Sequence, residues 1–374
     1  MSQAQRGKLN PSVNPFTPVF GKVPSYLAGR ERIISDMICA FEVGEGDPNL
    51  SSVFVGARGT GKTALLSRLA TEASSRGWVA VSVTAVPGML DDVVQRAAEQ
   101  AAHLLEAAPK RKATGIGVGR LVSVSWENVA DPSLNWRSKM NLLLDQLAQT
   151  ETGLLITVDE VNPHLDEMVQ LATTYQHFVR EGRKVALLMA GLPYNVSVLL
   201  SGESTSFLRR AFRHDLGSIP AHDIEEAFVV TIEGAGKAIE QAALSRAVEA
   251  TGGFPFMYQL VGYRMWNASR GEGVITEKSV EAGVRLAQGE LRRQVFDATF
   301  NELSDGDVDF LRAMLADEGE TDSSALASRL GKSSGHVSTY KKRLLEGGII
   351  EEGLRGKLRF SLPGFREYLE EVIE

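Results

Sequence analysis

The sequence has almost no cysteine, no long hydrophobic run and no apolar N-terminus. Its one cysteine, Cys39, excludes an internal disulfide framework and a metal site built from several cysteines. Its longest apolar stretches, such as residues 185–192, are far shorter than the roughly 20 residues that cross a bilayer. The N-terminal residues 1–16 lack the apolar segment of a signal peptide. These absences predict a cytoplasmic protein with no membrane partner.

The sequence also has no excess of positive charge. Its 40 Lys and Arg residues against 47 Asp and Glu residues give a formal net charge of −7, which argues against a protein coated in nucleic acid. A local basic surface is still compatible with this total. The length of 374 residues predicts two or three domains, and a hydrophobic fraction of 43% is sufficient for their cores.

Residues 26–220 alternate short apolar runs with amphipathic stretches. Near-continuous apolar runs, which predict buried strands, occur at 51–57, 78–86, 154–161 and 184–192. Helical patterns follow the first three of these runs. This alternation predicts an α/β domain of three αβα layers, in which helices cover both faces of a parallel sheet.

The remaining segments differ from this pattern. Residues 1–25 contain four prolines among polar residues and predict an extended leader. An insert at about 109–135 opens with basic residues and predicts a hairpin or a surface loop. Residues 221–295 predict a small helical lid domain without strands. Residues 296–374 contain three short helical patterns and then two strands joined by a turn, which is the layout of a winged helix.

The segment GARGTGKT at residues 56–63 fits the phosphate-binding pattern GxxxxGK[ST]. It lies between a predicted strand and a predicted helix, so its glycines and the helix N-terminus can direct backbone amides at phosphate groups. Lys62 would contact the β- and γ-phosphates of ATP, and the Thr63 hydroxyl would bind Mg²⁺. The predicted nucleotide-binding residues of this loop are Gly56, Ala57, Arg58, Gly59, Thr60, Gly61, Lys62, Thr63 and Ala64.

A second apolar run, at 154–160, ends in the acidic pair Asp159 and Glu160. Burying a strand that ends in two carboxylates is unfavourable unless a cation or a reacting group uses them. Asp159 is the predicted carboxylate for Mg²⁺, and Glu160 is the predicted base that polarises the attacking water. Together with Lys62, this pair predicts a P-loop ATPase.

With these motifs the chain resembles the AAA+ superfamily, and within it the initiator-like and archaeal-type ATPases with a C-terminal winged helix. The resemblance extends from PSYLAGRERI at 24–33 to the C-terminus. It implies that Arg30 lies at the adenine, and that an arginine finger follows the fourth strand. FLRRAFRHDL offers Arg209, Arg210 and Arg213, of which Arg210 matches best, although surface ion pairs would explain it equally well. An arginine finger that acts on a neighbouring subunit would require a homo-oligomer. The sequence leaves the oligomeric state open.

Two segments depart from the pattern of replication initiators. The polar residue expected after the fourth strand is absent from MAGLPYN, where Asn195 is only a distant candidate. The lid reads TGGFPFMYQL at 251–260, and its Gly-Phe-Pro resembles the GxP motif of the STAND signalling ATPases. That resemblance implies that Pro255 lies near the nucleotide base, whereas an ordinary helix start would also favour proline here. These departures favour a slow ATP/ADP switch.

Residues 323–360 are basic within this acidic chain, with eight Lys and Arg residues against three Glu residues, a local charge of +5. They predict a helix-turn-helix whose recognition helix covers 333–345. Short polar and basic side chains of this helix and of the wing turn are the predicted contacts to double-stranded DNA. They are Ser333, Ser334, His336, Ser338, Thr339, Lys341, Lys342, Arg343, Arg355 and Lys357. A winged helix that binds protein is the alternative.

The leading hypothesis is therefore an ATP-dependent, DNA-associated switch, in which the nucleotide state sets the angle of the winged helix. The GxP motif and the acidic total charge favour a signalling or scaffold ATPase whose winged helix recruits an unidentified protein. A helper ATPase for transposition or plasmid maintenance is a third hypothesis. The sequence does not separate these three, because partner surfaces carry no motif.

Overall fold

The computed structural model of the protein describes residues 13–19, 21–107 and 135–373. The predicted insert at 109–135 lies outside these residues except for Asn135, whose side chain caps the N-terminus of the helix that follows. No helix within the described ranges is long and apolar enough to cross a bilayer.

The core contains a five-stranded parallel sheet with strand order β2-β3-β4-β1-β5. Its strands are β1 (Ser51–Val55), β2 (Trp78–Thr84), β3 (Gly153–Asp159), β4 (Val185–Gly191) and β5 (Phe212–Asp215). The first four coincide with the four predicted apolar runs, and most of their side chains are buried. The fifth lies outside every predicted strand, because it is polar, largely exposed and at the edge of the sheet.

Helices cover both faces of this sheet. They are α1 (Glu31–Val43), α2 (Lys62–Ser74), α3 (Met89–Ala107), α4 (Trp136–Ala148), α5 (Asp166–Arg180) and α6 (Pro193–Ser201). Val53, Val55 and Ile156 belong to the buried cluster that includes α3, α4, α5 and α6, whereas Phe54 and Leu155 belong to the cluster with α1 and α2. Side chains thus alternate between two buried faces, which confirms the predicted three-layer core.

The lid follows the core and consists mainly of helices. They are α7 (Ala221–Gly234), α8 (Gln241–Thr251), α9 (Pro255–Ala268) and α10 (Glu277–Leu291). Two strands of two residues each, β6 (Ala238–Ile239) and β7 (Val274–Ile275), pair in parallel within this region. The expectation of a strand-free lid is thus wrong in this detail, because strands of two residues are too short to show an alternating pattern.

The chain stays helical across the predicted end of the lid at 295. Helix α10 continues through a π-helical turn at Arg292–Phe296 into α11 (Asp297–Asn301). The buried cluster of the lid is also continuous with that of the following residues, since Phe228 and Phe310 belong to the same cluster. The domain boundaries therefore remain predictions.

Residues 305–373, here called the C-terminal module, contain the elements predicted for a winged helix. They are α12 (Asp305–Leu315), α13 (Ser323–Leu330), α14 (Ser334–Glu346), β8 (Ile350–Glu352), β9 (Leu358–Phe360) and α15 (Phe365–Val372). Strands β8 and β9 form an antiparallel hairpin, and Thr321 pairs with Leu358 beside it. The turn between α13 and α14 is made by Gly331, whose φ of 59° favours glycine.

The described part of the leader packs on the lid. Phe16 is buried against the rings of Phe228 and Tyr258. The Asn14 side chain donates to the Tyr263 carbonyl oxygen at 2.9 Å. A Cβ atom on Gly262 would lie 2.3 Å from the Phe16 ring, so this close approach requires glycine. The leader is thus tied to a domain that begins about 200 residues after it in the sequence.

Candidate functional site

The predicted phosphate loop connects β1 to α2. Gly61 is the N-terminal cap of α2 with a φ of 86°, and Gly59 has a φ of 76°, so both occupy the left-handed region that favours glycine. Gly56 is restricted by space instead, because a Cβ atom there would lie 2.6 Å from Thr60 Oγ1. The glycines of the motif are therefore required by the fold of the loop itself.

Lys62 is held by the backbone of the same loop. Its Nζ donates to the carbonyl oxygens of Gly56 at 2.8 Å and Ala57 at 2.7 Å. Burial lowers the pKa of Lys62 to about 8, and the nearby Asp159 carboxylate opposes this shift. Lys62 thus remains charged at neutral pH and close to the place where the loop directs phosphate groups.

Thr63 and Asp159 meet at the carboxyl edge of the sheet. Thr63 Oγ1 donates to Asp159 Oδ2 at 2.5 Å, and the Glu160 amide donates to Asp159 Oδ1 at 2.9 Å. A cleft of about 470 Å³ lies beside the pair, and Ser82 and Thr84 are among its lining residues. A hydroxyl and a carboxylate are hard oxygen ligands that suit Mg²⁺, which usually takes its other ligands from water and phosphate.

Glu160 follows β3 in an unusual backbone conformation. Its φ is 55°, one of three positive values among the described non-glycine residues, and the residue is exposed. Backbone strain of this kind costs about 1–3 kcal/mol and is common at functional sites. Glu160 directly follows Asp159, which contacts Thr63, and the charge of its exposed carboxylate opposes the lowering of the Lys62 pKa by burial. We call this group of four residues the phosphate edge.

Arg30, which was assigned to the adenine by resemblance, contacts the segment between the core and the lid. Its Nη2 donates to the Gly217 carbonyl oxygen at 3.1 Å, and burial lowers the pKa of its guanidinium. Pro255 is the first residue of α9, which also fits the ordinary preference of helices for proline at this position. Neither placement tests the predicted nucleotide contacts of these two residues.

The three candidate finger arginines differ in their contacts. Arg209 donates to the Leu200 carbonyl oxygen at 2.9 Å, and Arg213 pairs with Asp215 at 2.8 Å. Arg210 is exposed and makes no side-chain hydrogen bond or ion pair with any residue that the structure describes. It ends a 3-10 turn just before the edge strand β5.

The predicted DNA-contacting face lies at the start of α14. Ser333, Ser334, His336, Ser338 and Thr339 are all exposed there. Ser333 is the N-terminal cap of the helix, and its hydroxyl accepts from the His336 amide. The front of this helix is thus open to solvent and rich in short polar groups.

Most basic side chains of this region are paired with carboxylates. Arg343 contacts Asp307, which is only 3% exposed, and Lys341 lies 2.6 Å from Glu352. The other pairs are Lys342 with Glu346, Arg329 with Asp317, and Arg359 with Glu351. Within the described residues Lys332, Arg355 and Lys357 form no ion pair, although Lys332 lies 5.3 Å from the centre of the Tyr340 ring. The local charge of +5 therefore overstates the number of cations that are free to contact a ligand.

The structure also places the C-terminal module against the loops that follow β3 and β4, which the sequence did not indicate. His164 Nε2 lies 3.2 Å from Glu346 Oε1 at the end of α14. A Cβ atom on Gly348 would lie 2.9 Å from the Leu192 side chain, directly after β4. No local pattern could have revealed these contacts, because each joins residues more than 150 positions apart.

Comparisons with known proteins match two parts of the chain to families. Residues 26–189 match the family model described as AAA ATPase domain, and residues 293–369 match a domain of unknown function (DUF8462). A search of curated proteins found no match. The first family match confirms the predicted AAA+ ATPase core.

Solved structures show the fold over nearly the whole chain. The Walker-type ATPase PABY2304 of Pyrococcus abyssi has a TM-score of 0.61 at 13% identity, covering 91% of this chain and 95% of that chain. The Aeropyrum pernix ORC2 protein in its ADPNP–ADP complexes has a TM-score of 0.59 at 14% identity, covering 95% of each chain. Its ADP form has a TM-score of 0.55 at 14% identity, covering 95% of this chain and 96% of that chain. The chain therefore shares the fold of these P-loop ATPases.

Proposed function

We propose that the protein is a Mg²⁺-dependent, slowly hydrolysing ATPase that acts as a nucleotide-dependent, DNA-associated switch. The observation that carries the proposal is the convergence of Lys62, Thr63, Asp159 and Glu160 at one edge of the sheet, which the C-terminal module also contacts. The ATPase domain match and the ORC2 structures described with ADPNP and ADP support nucleotide binding.

Each residue of the phosphate edge has a separate chemical task in this proposal. The loop amides and the Lys62 ammonium bind the phosphates of ATP. Thr63 and Asp159 would hold Mg²⁺, which when bound supplies positive charge that offsets the charge of the phosphates. Glu160 orients a water molecule and accepts its proton as that water attacks the γ-phosphorus. The bond between the γ-phosphorus and the β,γ-bridging oxygen breaks, and ADP and inorganic phosphate leave.

The contacts between the core and the C-terminal module suggest how the nucleotide state would be transmitted. His164, which contacts Glu346, follows Glu160 by four residues, and Leu192, which contacts Gly348, directly follows β4. A displacement of either loop on ATP binding or hydrolysis would move the end of α14. The switch then consists of two positions of the module that ATP and ADP populate differently.

The front of α14 would be the DNA-binding face. It is exposed, whereas the other end of the helix contacts the core, so DNA and the core could be contacted at once. The cations without an ion pair among the described residues are Lys332, Arg355 and Lys357, and we assign the main phosphate contacts to them.

The test is the binding of labelled duplex DNA across a salt series, with ATP, with ADP and without nucleotide. We expect binding that weakens with salt and differs between ATP and ADP. The triple variant Lys332/Arg355/Lys357→Ala should weaken binding and reduce the salt slope by about 3. The control variant Lys278/Arg285/Arg293→Ala removes the same charge from exposed positions of the lid region and should bind as the wild type does.

Equal DNA affinity in both nucleotide states would refute the switch. Absence of DNA binding in every state would favour a signalling or scaffold ATPase whose module binds protein. The pairing of five basic side chains with carboxylates is the observation that favours this second function. A helper ATPase for transposition or plasmid maintenance would require DNA binding together with a partner enzyme.

We further propose Arg210 as an arginine finger that acts on the nucleotide of a second copy of the chain. Its exposure, with no side-chain partner among the described residues, fits this role. Arg210→Ala should lower ATP turnover at protein concentrations at which copies assemble, without changing ATP affinity. Arg209→Ala is the matched control, because the Arg209 guanidinium already donates to Leu200. Equal turnover in the two variants would refute the assignment.

A further inference from the structure

The lid contacts the phosphate loop through the aromatic ring of Phe254. A Cβ atom built on Gly59 would lie 2.4 Å from Phe254 Cζ and 2.7 Å from Cε2. The Phe254 residue is 4% exposed, so its ring is enclosed at this contact. A glycine at position 59 is thus needed for space as well as for its φ of 76°.

The backbone around Phe254 is tied to the segment that joins the core to the lid. The Ile219 amide donates to the Gly253 carbonyl oxygen at 2.8 Å, and the Phe254 amide donates to the Thr251 carbonyl oxygen at 2.9 Å. A Cβ atom on Gly253 would lie 3.0 Å from the Ile219 carbonyl oxygen. These close contacts place the ring at a fixed position relative to the start of the lid.

The contact restricts the part of the loop that must present its amides to phosphate. Glycine adopts positive and negative φ with similar ease, and a loop that must be ordered on binding loses affinity. A ring packed against Gly59 holds the loop in place before the nucleotide arrives. If the lid moved away from the core, the ring would move with it and this restraint would be lost.

We propose that Phe254 is a positioning residue that holds the phosphate loop in its nucleotide-binding conformation while the lid is closed. Through this ring, the position of the lid controls how long nucleotide is retained. The inference rests on the proposed nucleotide binding and extends it to a specific residue of the lid.

The first experiment measures the affinity and dissociation rate of a fluorescent ADP analogue, and ATP turnover at saturation. Phe254→Ala should release the analogue about tenfold faster, while turnover at saturating ATP changes by less than about twofold. Phe254→Leu, which keeps an apolar side chain near Gly59, should recover most of the lost affinity. Phe256→Ala is the matched control, because that ring lies 6.2 Å from the Phe254 ring on the same helix start.

A reciprocal substitution tests the contact itself. Gly59→Ala should weaken nucleotide binding both through the collision with the ring and through backbone strain. In the Phe254→Ala background only the strain remains. The double variant should therefore lose less binding free energy than the sum of the losses in the two single variants. Purely additive effects would overturn the proposal, as would equal effects of Phe254→Ala and Phe256→Ala. If the wild-type protein bound no nucleotide, the proposed function itself would fail.

Discussion

The phosphate edge of the core and helix α14 of the C-terminal module both carry cations, but they hold these cations differently. Lys62 is held by two neutral carbonyl oxygens of its own loop. Arg343 and Lys341 contact the carboxylates of Asp307 and Glu352 instead. A cation held by carbonyl groups keeps its charge for a ligand, whereas one paired with a carboxylate must first be released. Charge at the phosphate edge is therefore available for binding, and much of the charge on the module stabilises the fold.

The largest expected effect is the loss of the Lys62 charge. Lys62→Ala should weaken ATP binding by at least about 100-fold, because it removes the ammonium that the loop holds for the β- and γ-phosphates. A fluorescence titration with a labelled ATP analogue measures this loss. Lys278→Ala, which removes one exposed charge from the lid, should bind ATP normally. If Lys62→Ala bound ATP within twofold of the wild-type affinity, the Lys62 charge would not be used for nucleotide binding.

The Glu160 carboxylate gives the next largest effect, on turnover. Glu160→Gln keeps the size of the side chain but removes the proton acceptor, so ATP should bind normally while hydrolysis falls by about 100-fold. A phosphate-release assay alongside an ATP titration separates the two quantities. Glu203→Gln, an exposed acid after α6, is the matched control. Wild-type turnover in Glu160→Gln would show that another group is the base.

The pKa of Lys62 predicts a pH dependence of nucleotide affinity. Burial lowers this pKa to about 8, so above that pH the free protein loses the proton that phosphate binding requires. ATP affinity should be constant between neutral pH and about 8, and should then fall by up to about tenfold per pH unit. Calorimetry in two buffers of different ionisation enthalpy should detect proton uptake above pH 8. Lys62→Arg keeps its charge, and a persisting pH dependence in that variant would exclude Lys62 as its source.

The smallest effect concerns the paired cations of the module. Arg343→Ala leaves the buried Asp307 carboxylate without its guanidinium, and should lower the free energy of unfolding by about 1–2 kcal/mol. Lys357→Ala removes a cation that has no ion pair among the described residues, and should change stability by no more than about 0.5 kcal/mol. Thermal unfolding measures both values. Equal stabilities would show that the Arg343 pair contributes no more than an ordinary surface contact.

The fold of the core was predictable to a large extent because its strands are buried on both faces. Such strands are near-continuous apolar runs, and β1, β2, β3 and β4 all follow this rule. The edge strand β5 is polar and exposed, so it has no such pattern. Strands β6 and β7 have two residues each, and strands of this length leave no periodic signal.

The candidate site likewise contains residues that a local motif reveals and contacts that no local motif reveals. Each of the residues Gly56, Gly61 and Lys62 is recognisable because the phosphate loop forms within a few consecutive residues. The contact of Phe254 with Gly59 and the contact of His164 with Glu346 each join residues more than 180 positions apart. No local pattern encodes either contact, because each depends on how separate elements pack.

The sequence by itself thus determined the phosphate loop, the acidic pair at the end of β3 and the layered α/β core. These features depend on local backbone conformation and on the burial pattern of short segments, which neighbouring residues specify. Only the tertiary structure decided which cations of the C-terminal module are paired and where the leader packs. It also decided how the lid contacts the phosphate loop and how the module contacts the loops after β3 and β4. These outcomes depend on pairs of side chains far apart in the chain, and such pairs exist only after the separate elements have packed together.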